Sequence, residues 1–231
     1  MVFSHLFLSL GEKTSDMLRI ETLVFNSFQV NTYVVWDENG ECLVVDPAFQ
    51  TPEESEQFDR LIKEKEWSIN GQIHTHCHVD HLLGVPHMKN RYGHPFRAHP
   101  DEGKNIERAP LMGEIFGLNL DPLEGIDQEI HDGDRISVGS SFLEAILVPG
   151  HSPGSLAFHA AEPGFVITGD ALFQGSIGRT DLPGGDYDQL IHSIRSRLLI
   201  IPSDTTVYPG HGPSSTIGAE QQDNPFLTMV P

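Results

Sequence analysis

Cysteine is scarce in this 231-residue chain: only Cys42 and Cys77 occur, too few for a disulfide framework. A reducing cytoplasm is therefore the expected compartment. Basic residues are also few, 14 Lys and Arg against 33 Asp and Glu, giving a formal charge of −19 and a pI near 4.9. Such a surface repels phosphate backbones, which argues against nucleic acid as a partner. No apolar run approaches the roughly 20 residues that a membrane helix needs, so no membrane partner is expected either. The apolar stretch Val2 to Leu10 has no Lys or Arg before it and runs into Gly11-Glu12-Lys13 without a small-residue cleavage site. It does not read as a signal peptide. Residues 1–17 are expected to be an N-terminal extension, and 18–231 one domain with a substantial core.

The organised part opens with strand-rich segments, Leu18 to Phe25 and Val30 to Trp36, followed by Asn39-Gly40 as a hairpin signal and the apolar Cys42 to Pro47. Thr51-Pro52-Glu53-Glu54 joins an N-cap, a proline at the first helical position and a glutamate three residues after the cap, so a helix starts there. Trp67 to Ile73 reads as a strand, Asp80 to Arg91 as a helix carrying Leu82, Leu83 and Met88, and Asp101 to Arg108 as a short helix. From Ala109 to Ile130 periodicity dissolves around Pro110, Gly113, Gly117, Pro122 and Gly125. This stretch is expected to be either a surface connection or a loop shaping a pocket mouth through Met112, Phe116 and Leu118. Strand character returns at Asp134 to Val138, Phe142 to Val148, Ser155 to Ala160 and Phe165 to Thr168. A helix follows from Asp186 to Leu198, and a last strand from Thr205 to Tyr208.

Chemistry concentrates in Thr75-His76-Cys77-His78-Val79-Asp80-His81, with four candidate metal ligands in six residues. In extended chain, His76 and His78 point the same way and can close on one ion while Cys77 faces away as a small buried residue. Asp80 and His81 lie where the chain begins to turn and face another direction, so one motif can serve two adjacent ions. Imidazole with carboxylate, without facing thiolate, suits zinc, iron or manganese and a catalytic rather than a structural site.

Thr75-His76-x-His78-x-Asp80-His81 resembles the signature of the metallo-β-lactamase superfamily. The resemblance implies three later ligands, and they occur in order beside glycine: His151 in Pro149-Gly150-His151-Ser152-Pro153-Gly154, Asp170 in Thr168-Gly169-Asp170, and His211 in Pro209-Gly210-His211-Gly212. It assigns His76, His78 and His151 to one ion and Asp80, His81 and His211 to the second, with Asp170 bridging. It implies an α/β fold, a single-domain αββα four-layer sandwich. The implied cofactors are two divalent ions, zinc foremost, with iron or manganese as alternatives. The other eight histidines fit no motif and are expected to be surface or satisfied structural groups.

Within that superfamily, Phe173 to Gly185, Gly210 to Gly218 and Asn224-Pro225-Phe226-Leu227 are similar to the short glyoxalase II-type hydrolases, which cleave S-2-hydroxyacyl thiol adducts such as S-lactoylglutathione. The implied reaction is thioester hydrolysis of a small molecule by a hydroxide held between the ions, with Asp80 and Asp170 as catalytic residues. Arg179 and Asp181 are expected to form a structural ion pair near the site. No Lys or Arg occurs from Leu198 to Pro231, so a thiol with two carboxylates, such as glutathione, should be held weakly. The enzymatic alternative is a persulfide dioxygenase using one iron on His76, His151 and Asp170. The non-enzymatic alternative is a relative that keeps the ions without catalysis.

Overall fold

The computed structural model describes residues 17–228, so nearly all of the expected N-terminal extension lies outside the described residues. Strands β1 (Arg19–Phe25), β2 (Val30–Trp36) and β3 (Glu41–Val45) form an antiparallel meander; helix α1 (Pro52–Glu64) then crosses over to β4 (Ser68–Ile73), which pairs parallel with β3. The crossover starts where the sequence marks it. Thr51 Oγ1 accepts from the Glu54 amide and Glu54 reciprocates at the Thr51 amide, a capping box with Pro52 at the first turn.

After β4 come a 3-10 turn (Val79–His81), α2 (Val85–Tyr92), β5 (Arg97–Ala98), α3 (Gly103–Phe116) and β6 (Gln128–Glu129). The second sheet follows with β7 (Arg135–Val138), β8 (Ser141–Leu147), β9 (Leu156–Ala160) and β10 (Phe165–Gly169). Then come β11 (Leu172–Phe173), β12 (Ser176–Ile177), α4 (Tyr187–Ser193) with a π-helical continuation (Ile194–Leu198), β13 (Thr206–Pro209), β14 (Ser215–Thr216), α5 (Ile217–Asp223) and α6 (Pro225–Thr228). Sheet order is β1-β2-β3-β4 in the first sheet and β14-β13-β10-β9-β8-β7 in the second.

The sheets bury their facing sides against each other. Tyr33, Val35, Leu43, Val45 and Ile73 meet Val138, Leu143, Phe158, Phe165 and Ile167 in one apolar cluster. The outer side of the first sheet, through Val34 and Val44, is covered by Phe58 and Ile62 of α1 and Met88 of α2. On the outer side of the second, Ala157, Val166 and Val207 lie under Leu190, Ile194, Leu198, Ile217 and Leu227. The order is helix, sheet, sheet, helix, which is the αββα sandwich expected.

Each sheet holds one parallel pair, β3-β4 and β10-β13, and all four of those strands end at the same edge of the sandwich. Asp46 follows β3, Thr75 and His76 follow β4, Asp170 follows β10, and His211 follows β13. The two sheets are tied there by Asn31, whose amide donates to the Gly210 carbonyl (2.7 Å) and whose side chain donates to Pro209 and Gly212 carbonyls (2.9 Å each).

Two expectations need correction. The helix expected over Asp80 to Arg91 is broken: Gly84 separates the 3-10 turn from α2, and a Cβ there would stand 2.6 Å from the Pro47 carbonyl and 2.9 Å from the Phe49 ring. The stretch from Ala109 is not loop at its start, because α3 continues through Pro110 to Phe116 and stops at Gly117 in the left-handed region (φ 71°). An interior proline costs about 3 kcal/mol in an exposed helix. Here Ile106, Ala109 and Gly113 are buried, Ile106 and Ala109 packing on Val79, Leu82 and Leu83, and that burial outweighs the missing hydrogen bond.

Candidate metal centre

All seven predicted ligands converge where the parallel strands end. The ligating atoms of His76, His78 and His151 lie within 4.8 Å of one another, as do those of Asp80, His81 and His211. Asp170 stands between the two triads: its carboxylate oxygens are 3.5 Å from His81 Nε2, 3.5 Å from His211 Nε2 and 3.7 Å from His151 Nε2.

The imidazoles are aimed by their outer nitrogens. His151 Nδ1 donates to the Arg179 carbonyl (2.8 Å) and His211 Nδ1 to the Phe28 carbonyl (2.9 Å), since a carbonyl can only accept. His81 Nδ1 lies 3.0 Å from Asp46 Oδ2. Thr75 Oγ1 donates to Asp46 Oδ2 (2.6 Å), which leaves it to accept from His76 Nδ1 (3.0 Å). With Nδ1 held by these partners, each of these rings turns Nε2 inward, the nitrogen left to carry either a proton or a cation. The Nε2 atoms then face each other at hydrogen-bond distance, 3.3 Å for His151 and His76, 3.4 Å for His81 and His211. Lone pairs that close require a proton or a cation between them.

A second sign is Asp170 Oδ1, which is buried without a hydrogen-bond partner. An orphaned carboxylate oxygen is costly in this setting. Space around it is kept by glycine, because a Cβ on Gly210 would lie 2.1 Å from that oxygen. Five imidazoles and two carboxylates, with no thiolate, therefore fit hard to borderline divalent ions such as zinc, iron or manganese.

Electrostatics divides the ion-free cluster in two. Burial holds His76 well below its ordinary pKa and lowers His78 to about 3, helped by neighbouring imidazoles, so both present neutral ligands. For His81 and His211 burial acts the same way, but Asp80 and Asp170 overcome it; His81 is raised well above its usual value and His211 to about 9. Burial raises Asp80 and Asp170, yet the charge on His81 and contacts from His211 hold both below the usual carboxylate range. Both carboxylates are anionic at neutral pH.

Three supporting residues escaped the sequence reading. Asp46, buried with φ 49°, orders Thr75 through its amide (2.7 Å) and hydroxyl, and orders His81. Glu102 is fully buried and fastens the two loops that carry His76, His78 and His151. Asn26, also in the left-handed region (φ 54°), donates to the Asp80 and Ala48 carbonyls (3.0 Å each) while its amide donates to Glu54 Oε1 (2.7 Å). The α1 capping box is thereby tied to the metal loop. Only Asp46 left a sequence signal, a lone acid between an apolar strand and Pro47.

Cys77 is buried beside Val79 and Leu82, and burial, then Glu102 and Asp46, push its thiol well above the ordinary range. This is the inert role expected. The Arg179–Asp181 ion pair is present, bidentate at 2.8 Å, on an exposed loop.

His74 departs from the expectation of a satisfied group. It is fully buried, edge-on to Phe96 (4.8 Å), with Nδ1 lacking a hydrogen bond and 3.8 Å from Asp46. Burial lowers its pKa to about 4 from 6.5. It is neutral in the fold and protonated in the unfolded chain below pH 6.5, so its contribution is lost as pH falls. Between pH 6.5 and 5 it should remove about 2 kcal/mol of stability. Denaturant titrations across that range should show this acid limb in the natural sequence and a flatter one in His74→Gln.

Beside the ligands opens a cavity of about 180 Å³, walled by Phe28, Val79, Ala109, Met112, Phe116, Leu182 and Pro183, with Arg108 and Arg179 at its lining. Met112 and Phe116 do shape the mouth, from α3; Leu118 is buried in the α3 cluster instead. The scarcity of cations after Leu198 does not strip the pocket of positive charge, because both arginines arrive from other elements. No helix among the described residues is long and apolar enough to cross a membrane.

The family model for the metallo-β-lactamase superfamily matches residues 26–211. The chain is 35% identical over 215 residues to a Haemophilus influenzae protein named hydroxyacylglutathione hydrolase GloC, covering 91% of this chain and 98% of that one. Among solved structures it is similar to BLEG-1, described as a B3 metallo-β-lactamase (TM-score 0.84, 30% identity, 91% of this chain and 100% of that one). It is also similar to TTHA1623 in a di-iron-bound form (TM-score 0.81, 34% identity, 90% and 100%).

Proposed function

Since the chain belongs to the metallo-β-lactamase superfamily, we propose that it is a binuclear-metal hydrolase of small-molecule thioesters, of the S-2-hydroxyacylglutathione type. The observation that carries this reading is Asp170, an anionic carboxylate set between two ligand triads with one oxygen buried and unpartnered. His76, His78 and His151 would hold one ion, Asp80, His81 and His211 the other, and Asp170 both. When bound, the two ions supply an acidified water and polarise an acyl carbonyl.

The chain's own groups do the rest. Asp80 remains an anion at neutral pH and can accept a hydrogen bond from, and orient, an attacking water. Asp46 and the Phe28 and Arg179 carbonyls keep His81, His211 and His151 in the ligating tautomer. The apolar wall from α3 and the Leu182-Pro183 loop excludes water from the thiol arm. A thiolate with a pKa near ~8.5 departs as an anion, so no acid need stand by the leaving group.

Elemental analysis of protein purified without added metal, paired with turnover of S-lactoylglutathione, tests the proposal. Two ions per chain are expected, with turnover falling at least tenfold on chelation and returning with divalent metal. One iron per chain, no thioester cleavage and oxygen uptake with a persulfide would replace it with the dioxygenase reading.

A further inference from the structure

Arg108 is an arginine at a pocket without a counter-ion, in a chain of strongly negative charge. It lines the cavity beside the ligands. Among the described residues it has no hydrogen-bond or ion-pair partner, unlike Arg179, whose fork is engaged by Asp181. The local sequence leaves it free. Its helical neighbours at three and four residues are Lys104, Asn105, Leu111 and Met112, none of them acidic. Lys104, one turn earlier on the same side, lacks a partner as well.

The same side of α3 continues with Met112 and Phe116, a stripe about 12 Å long from Arg108. Phe28 closes it from the opposite wall, meeting Phe116 edge-on at 5.7 Å between centroids. The stripe thus has an apolar course and a cationic end, and it runs beside the ligand cluster. A molecule that matches it carries its reactive acyl group on an extended arm that finishes in an anion.

We propose that Arg108 is the specificity-determining residue of this pocket: its guanidinium seats a carboxylate or phosphate terminus on the carrier arm of the thioester, while Met112, Phe116 and Phe28 cover the apolar part of that arm. The name of the reaction rests on the thioester reading; the binding preference does not. Arginine suits the role because it stays charged and offers a planar fork to either anion. On a protein with 33 acidic residues it also gives an anionic substrate one place of approach that is locally attractive.

The test reads binding rather than turnover, so loss of the hydrolase reading leaves it intact. Metal-loaded protein is titrated calorimetrically with three non-hydrolysable probes: S-hexylglutathione, its dimethyl ester, and an S-hexyl thioether of phosphopantetheine. The natural sequence should bind at least one anionic probe at least tenfold more tightly than the ester, and the tighter of the two names the anion. Arg108→Ala should abolish that preference while changing ester affinity less than twofold, and Arg108→Lys should keep part of it. Arg60→Ala, which removes the same charge from α1, should change none of these values. Equal binding of anionic and ester probes by the natural sequence, or an equal loss of both in Arg108→Ala, would overturn the proposal.

Discussion

Replacing Glu102 with alanine is expected to cost about 4 kcal/mol of folding free energy, a fall in Tm of roughly 8–16 °C for a chain of this size. The side chain is fully buried and every one of its contacts is a donor from elsewhere in the site's support. Oε2 accepts from the Cys77 amide (2.8 Å) and Asn105 Nδ2 (2.9 Å); Oε1 accepts from the Gly154 amide (2.7 Å) and Ser152 Oγ (2.7 Å). Hydrogen bonds to a buried charge contribute about 1.5–3 kcal/mol each, and stranded amides add their own desolvation penalty. Against this stands relief of the carboxylate's own burial, which is why the sum is well below four such bonds. Glu102→Gln should cost about half as much, keeping one acceptor and setting an amide against two donors. Urea unfolding of both variants, metal-free and at one pH, measures this. A loss under about 1 kcal/mol for the alanine would mean that the two loops hold their shape without it.

Why Glu102 was invisible in sequence is physical. Apart from Asn105, its partners lie 25, 50 and 52 residues away, and nothing in Pro100-Asp101-Glu102-Gly103 distinguishes it from the exposed Asp101 beside it. The candidate ligands, which the fold brings together, were legible for the opposite reason: His76, His78, Asp80 and His81 sit at spacings that local geometry turns toward one point, and His151, Asp170 and His211 each follow a strand and adjoin glycine. The capping box of α1 and the positions of the main strands along the chain were legible too, being local signals of propensity and period. The first half of α3 was legible over Asp101 to Arg108, but its continuation to Phe116 was not, because Pro110, Gly113 and Gly117 read as punctuation. Only contact with the metal loop makes a helix the favourable state, and Gly113 is required there for close approach, a Cβ falling 2.7 Å from the Leu118 carbonyl. Sequence thus reached the candidate ligands and offered Met112 and Phe116 for the pocket mouth, but not the shell that aims the ligands, nor the helix that carries the two wall residues.

Substituting Asp170 with asparagine is expected to lower turnover at least a thousandfold while leaving the ion-free fold nearly as stable, and that separation is the point of the variant. In the ion-free protein the carboxylate attracts His81 and His211 and carries the desolvation cost of a largely buried anion, two effects of opposite sign. Asparagine removes both, so the net change in folding free energy should stay within about 1–2 kcal/mol. Shape is conserved as well, an important condition where Gly210 and Gly178 leave no spare room. Cation binding has no such compensation. The amide removes the one negative charge that faces both triads and turns either a weaker oxygen donor or an N–H toward the site, where an N–H competes with a cation for the Nε2 lone pairs. Elemental analysis should then find fewer than two ions per chain, and added metal should not restore turnover. If the variant kept two ions and lost activity, Asp170 would matter to the reacting water more than to ion retention. If it kept both, the bridging assignment would fail, and the ligand set would have to be closed by Asp46, the other acid that groups with His76 and His81.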